Sequence, residues 1–240
     1  MRKLSSSVIA ATVLLTLALC PIVARADSTS FYVNSGVNDG FQYPVNFSAA
    51  FPGPWANVTV NLINSTTATI TFDSSGLAGG AYWLSDGGAA VVNVNANAFN
   101  VTNVIDSATH VVNSGNFDGL GFFNLVVMNS GNNPNCGPAG SACLGYNNGV
   151  TQMISFTVTD KSGTWNSASD VLTPNNDGWD AGSHITVIPL GNNPYGCSPG
   201  KVCQGYGSGN QPVPEPPVNA LLACSALLFG GLFLRRPLFS

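Results

Sequence analysis

Ala56-Asn57-Val58-Thr59-Val60-Asn61-Leu62-Ile63 places Ala56, Val58, Val60 and Leu62 on one side of an extended chain and Asn57, Thr59, Asn61 and Ile63 on the other. A period of two is the signature of a strand with one face buried. Ile154-Ser155-Phe156-Thr157-Val158-Thr159 repeats it. Further β-branched or aromatic runs at 67–72, 89–94, 109–112, 122–128 and 185–190 are bounded by Gly, Asn, Asp or Pro, as short strands between turns are. No stretch between residues 27 and 210 keeps apolar residues at helical spacing for three turns. The expected fold is all-β, a single antiparallel β-sandwich or jelly-roll-like domain, with a solenoid as the alternative.

Turn chemistry punctuates these runs. Asp39-Gly40, Asp86-Gly87, Asp118-Gly119 and Asp177-Gly178 read as tight turns, where Gly supplies positive φ and Asp bonds its own backbone. The alternative at the last is calcium, since Asn175, Asn176, Asp177 and Asp180 gather oxygens in one loop. They lack the ordered ligand spacing and distant Glu of a calcium loop.

Two loops echo each other. Gly131-Asn132-Asn133-Pro134 precedes Cys136, Cys143 and Gly145-Tyr146, and Gly191-Asn192-Asn193-Pro194 precedes Cys197, Cys203 and Gly205-Tyr206. Each copy follows a predicted strand. An even number of cysteines in an exported domain favours disulfides, the simplest pairing being Cys136–Cys143 and Cys197–Cys203. An eight-residue ring of that kind stabilises by roughly 2 to 3 kcal/mol in the chain-entropy model. A four-cysteine zinc site is the competing reading, but its ligand pairs usually stand closer together. No metal or cofactor is expected.

Charge narrows the partners. From 27 to 210 the chain carries ten Asp against Lys161 and Lys201, with no Arg, a formal balance of −8. A nucleic-acid surface needs clustered cations to displace counterions, so nucleic acid is excluded as a partner. Catalytic signatures are weak. Gly196-Cys197-Ser198-Pro199-Gly200 fits the string of a nucleophile elbow, yet Pro199 has no N–H to offer an oxyanion hole. His110 and His184 are the only imidazoles and stand in no metal-binding motif. Paired Asp acting on a glycan is the remaining enzymatic alternative. The expectation is a protein that is not an enzyme.

Aromatic residues beside small polar ones are the best signal for binding. Trp55, Trp83, Trp165 and Trp179, with Tyr82, are candidate glycan contacts, because aromatic faces flanked by amides suit sugars. The competing reading is that these rings fill the core.

Both termini read as addresses. Arg2 and Lys3, an apolar centre at 8–19, and Ala24-Arg25-Ala26 before Asp27 make a secretory signal peptide over 1–26, with signal peptidase cutting after Ala26. Leu19 stands before Cys20 where lipoprotein processing wants a small residue, so lipidation is not expected. At the other end, Val213-Pro214-Glu215-Pro216 forms an extended tether, since proline fixes φ and cannot donate. An apolar run over 218–234 follows, about 25 Å long as a helix, and Arg235 and Arg236 close it. Charge bias keeps those arginines in the cytoplasm and everything before Pro214 outside.

This ending resembles the PEP-CTERM proteins of Gram-negative bacteria, whose tails are substrates of the membrane transpeptidase exosortase. The resemblance covers about a tenth of the chain and implies a precursor held in the inner membrane and cut near Pro214, Glu215 and Pro216. Pro217 lengthens the proline cluster, and the basic end is shorter than is common in the family. An unprocessed single-span anchor is the alternative. The organisation expected is a signal peptide at 1–26, an exported domain with two Cys loops at 27–210 and a sorting tail at 211–240. The function expected is an exported, non-catalytic envelope or extracellular-matrix protein associated with exopolysaccharide or biofilm. A carbohydrate-binding or adhesive module and a secreted glycan hydrolase are the alternatives.

Overall fold

The computed structural model describes residues 27–37, 51–105, 109–112, 114–117, 119–129, 150–187 and 203–212. The fold is all-β, and every strand pair among the described residues is antiparallel. The strands are β1 (Asp27–Val33), β2 (Ser35–Val37), β3 (Ala56–Asn64), β4 (Thr67–Asp73), β5 (Tyr82–Val92), β6 (Phe99–Ile105), β7 (Thr109–Val112), β8 (Gly115–Phe117), β9 (Gly121–Phe123), β10 (Leu125–Asn129), β11 (Val150–Thr151), β12 (Met153–Asp160), β13 (Ala181–Val187) and β14 (Cys203–Gly209). A solenoid's stacked parallel strands are not what the described residues form.

One sheet has the order β1-β3-β4-β12-β6 and a second the order β2-β14-β13-β5-β10-β7, with β11 beside β5 and a separate β8-β9 hairpin. The alternation in the sequence decides the inner face. Val58, Val60, Ile70, Phe72, Phe156 and Val158 from the first sheet share a core with Leu84, Ala90, Val92, Val127 and Ile185 from the second. Each fully buried aliphatic or aromatic side chain contributes about 1.5–3 kcal/mol relative to exposure. The chain changes sheets at Asn34, whose N–H donates to the Ser208 carbonyl at 3.0 Å, so β1 and β2 border different sheets.

The outer face of the second sheet is covered as well. Val91, Phe117, Leu120, Phe123 and Val126 form a smaller core there, brought by the β8-β9 hairpin. The Phe117 ring meets Phe123 and Tyr206 edge-on at centroid distances of 6.3 and 5.1 Å. Buried on both faces, β13 has no exposed residue along its length.

The turn expected at Asp86-Gly87 is corrected. Those residues lie inside β5, where four steps of β5 from Asp86 to Ala90 face two steps of β10 from Asn129 to Val127. The register with β13 also slips, between Gly182 and Ile185. The glycines make a bulge rather than a reversal, a use of Gly within strands that local sequence does not separate from a turn. Ser183 holds it by donating its hydroxyl to the Ala89 carbonyl at 2.5 Å. Gly119 and Gly178 do stand in turns, with φ 75° and 89°, while Asp118 lies outside the described residues. Asp39-Gly40 lies outside the described residues.

Candidate functional site

The chain crosses between the two sheets at one end of the molecule by two connections. Residues 93–98 carry it from β5 to β6, and residues 161–180 from β12 back to β13. The crossings are laced together. Thr173 N donates to Asn93 O at 3.0 Å, Asn95 N to Val171 O at 2.9 Å, and Lys161 N to Ala98 O at 2.9 Å. Val94 and Leu172 form an isolated bridge. A connection leaves the ladder that would satisfy its backbone, so these groups need partners elsewhere.

Between the crossings lies a cleft of about 510 Å³, within the 300–1,000 Å³ typical of small-ligand sites. Five amides line it: Asn93, Asn95, Asn97, Asn124 and Asn166. Asp160 and Asp170 add carboxylates, Ser162, Thr164 and Thr173 hydroxyls, and Trp165 an aromatic ring.

Several of these side chains serve the fold with one or both of their polar atoms. Asn124 accepts from Val94 N at 2.7 Å and donates to Val94 O at 2.8 Å, imitating one more step of a β ladder. Asn93 donates its amide to the Thr173 carbonyl at 3.0 Å and Asn95 to the Asp170 carbonyl at 2.9 Å. Asp160 Oδ1 accepts from Ser162 N, Ser162 Oγ and Gly163 N at 2.8 to 3.0 Å. Asp170 Oδ2 accepts from Asn166 N and Ser167 N, both at 3.0 Å. These bonds fix the rotamers; both ends of the Asn124 amide are used, whereas Oδ1 of Asn93 and Asn95 and the second carboxylate oxygens of Asp160 and Asp170 face no described donor.

The four tryptophans separate. Trp55 is a correction: it is fully buried, its Nε1 donates to Phe51 O at 2.7 Å, and no face is open to a sugar. The core-filling alternative describes it, because a large ring stabilises most where all of it is removed from water. Trp165 is 3% exposed and donates Nε1 to Asn95 O at 2.9 Å, so it forms a wall of the cleft without offering a stacking face. Trp83 is half-buried on the outer face of β5, since its neighbours Tyr82 and Leu84 point into the core. Trp179, also half-buried, packs against the smaller core. Tyr82 is buried and donates its hydroxyl to Pro52 O at 2.8 Å. The structure thus brings only Trp165 to the cleft.

In the loop considered for calcium, Asn175 Oδ1 accepts from Asp177 N and Trp179 N, both at 3.0 Å, and its Nδ2 donates to Leu120 O at 2.8 Å. Those oxygens and protons hold the turn. Asp180 is 5% exposed; its Oδ2 accepts from Gln211 N at 2.7 Å, while Oδ1 has no partner among the described residues. Desolvation by burial raises its pKa above the ordinary carboxyl value, against the lowering effect of the Gln211 bond. His184 is buried with its ring 4.6 Å from that of Tyr206.

Ala24, Ala26, Cys136, Cys143, Cys197, the string at 196–200 and the tail with Pro214, Glu215, Pro216, Arg235 and Arg236 lie outside the described residues. Cys203 opens β14 opposite Val187. Strands β10 and β13, which precede the two echoed loops, both run antiparallel to β5 and end opposite its first half, at Asp86 and Tyr82. Both strands therefore finish at the same end of the second sheet, and the echoed loops themselves lie outside the described residues apart from Cys203 to Tyr206 in β14. Among the described residues no group of three or more His, Cys, Asp or Glu is placed to hold a metal ion, and no helix is long and apolar enough to cross a membrane.

The cleft itself escaped the sequence reading. Its signal is Asn93-Val94-Asn95-Ala96-Asn97, an amide at every second position. No protein-family model, curated protein or solved structure matches the chain.

Proposed function

We propose that this chain is an exported, non-catalytic envelope or extracellular-matrix protein, a two-sheet sandwich passenger sorted through its PEP-CTERM-like tail. Signal peptidase removes 1–26, the inner membrane holds the precursor through 218–234, and exosortase acts near Pro214, Glu215 and Pro216. The loops are closed by Cys136–Cys143 and Cys197–Cys203. Exopolysaccharide is the surrounding partner.

The observation that supports this reading is where the fold engages its two ends. Asp27, the residue after the small-x-small site, pairs with Leu62 and accepts from Ala168 N at 3.1 Å through its carboxylate. Gln211, two residues before Val213, donates its N–H to Asp180. Both addresses thus adjoin residues that are bonded into the domain. Replacing Pro214-Glu215-Pro216 by three alanines should leave a full-length, membrane-retained precursor on immunoblots of fractionated cells. Unchanged processing refutes exosortase sorting.

A second reading, a carbohydrate-binding module, is favoured by the amide-lined cleft. Amides and hydroxyls bind neutral sugars with little dependence on salt, unlike charge pairs.

A further inference from the structure

We infer that the cleft between the two crossings binds a neutral polyhydroxyl ligand, a segment of uncharged polysaccharide, and rejects polyuronates. This rests on the carbohydrate-binding reading and gives it a site and a charge class.

The inference follows from which atoms the fold has left over. Asn93 and Asn95 turn their NH₂ groups toward carbonyls of the second crossing, and Asp160 and Asp170 each place one oxygen on backbone N–H groups. What remains from these four residues is acceptor oxygen held in fixed orientation. An acceptor-rich wall needs a ligand rich in donors, and hydroxyl groups meet that need at every ring position. Donors come from the cleft's other side chains. Asn97, Thr164 and Asn166 line it, are exposed and make no side-chain bond among the described residues. They are free to present amide and hydroxyl protons to ring and glycosidic oxygens.

Charge then sets the class. Among the described residues the cleft is lined by Asp160 and Asp170 and by no Lys, Arg or His. A uronate would bring carboxylates beside these two with no cation to offset them, and like charges on a partly desolvated surface repel. A bare divalent cation is the other candidate for acceptor oxygens. It requires six to eight oxygens converging at about 2.3–2.6 Å, whereas this opening spans about 510 Å³ and has two carboxylates. A sugar segment suits that width better. Trp165, Val94 and Ala96 supply the apolar part of the wall.

The test uses the full chain extracted in a zwitterionic detergent, which has no sugar headgroup to compete. Affinity electrophoresis is run through gels containing glucan, mannan or galactan, and in parallel through polygalacturonate, with and without EDTA. Retardation is expected by at least one neutral polymer, none by polygalacturonate, with no effect of EDTA. The triple variant Asn97→Ala, Thr164→Ala, Asn166→Ala should bind at least tenfold more weakly with an unchanged thermal midpoint. Should it unfold, Thr164→Val, nearly isosteric, should still weaken binding severalfold. Equal binding of polygalacturonate, loss of binding in EDTA, or neutral binding untouched by these variants overturns the assignment of ligand and site while leaving a binding module. Failure of every polymer to retard folded protein overturns the module reading as well.

Discussion

Replacing Gly207 by alanine asks whether the close approach of β14 to β1 holds the two sheets together. A Cβ at this position would stand 2.6 Å from Val33 Cγ1 and 2.7 Å from Trp55 Cε3. Neither neighbour has room to yield, because both side chains are fully buried and the Trp55 ring is tied through Nε1 to Phe51 O. Overpacking a filled core costs about 1–3 kcal/mol, and two clashes against closed-in groups place this variant near the upper half of that range. For a domain of this size each kcal/mol corresponds to roughly 2–4 °C in midpoint, so a fall of about 4–12 °C is expected. Thermal unfolding followed by near-ultraviolet circular dichroism reads both the midpoint and the setting of the Trp55 ring. Gly76→Ala is the control, since nothing lies within 4 Å of a Cβ there. It should move the midpoint little, upward if at all. If Gly207→Ala unfolds within 1 °C of the parent with the same near-ultraviolet spectrum, the sheets are not packed through this glycine.

Two further changes test the ends of the crossings. Asp180→Asn removes a carboxyl whose pKa is raised by burial. As pH rises past the ordinary value of 3.8 the unfolded chain ionises first, so the parent loses stability until the folded group ionises too, and is flat above that. Urea unfolding between pH 3 and 7 should therefore show the difference between variant and parent shifting in the variant's favour as pH rises; an identical difference at both ends would sink the idea. Asn124→Ala deletes the bonds to both backbone groups of Val94, at a cost of about 1–3 kcal/mol. Hydrogen exchange at the Val94 amide should accelerate at least tenfold, and no acceleration would show that another group satisfies it.

The strands with strict alternation were readable because one side of each faces the core. Ala56–Asn64 buries the residues the period of two selects, with Ile63 on the other side 53% exposed, and Met153–Asp160 buries its selected set too, although Ser155 and Thr157 opposite are also covered. β14 was not readable for the opposite reason. Cys203–Gly209 carries glycines at 205, 207 and 209, a composition that marks loops, yet here the missing side chains make space. A Cβ on Gly209 would strike the Tyr32 carbonyl, and one on Gly207 the Trp55 ring. That need arises from the partner strand and leaves no trace in local pattern. β5 was cut short by reading its glycines as a turn, although Tyr82 and Leu84 continue the buried set before the bulge. Composition pointed to aromatic rings as the site, and the structure uses Trp55 to fill the core instead.

The cleft follows from the same economy of polar groups. Two crossings that leave one sheet for the other must satisfy backbone atoms outside any ladder, and short amide and carboxylate side chains do this with one of their two polar ends. Asn93 and Asn95 are thus a structural requirement first, and the oxygens left over are its by-product. Stability and binding should consequently separate by residue. Loss of the Asn93, Asn95 or Asn124 side chain loosens the crossings and disturbs any ligand indirectly, whereas loss at Asn97, Thr164 or Asn166 touches the ligand alone. A ligand that protected the Asn95 and Val171 amides from exchange in the parent but not in the triple variant would join the two halves of this argument at one site.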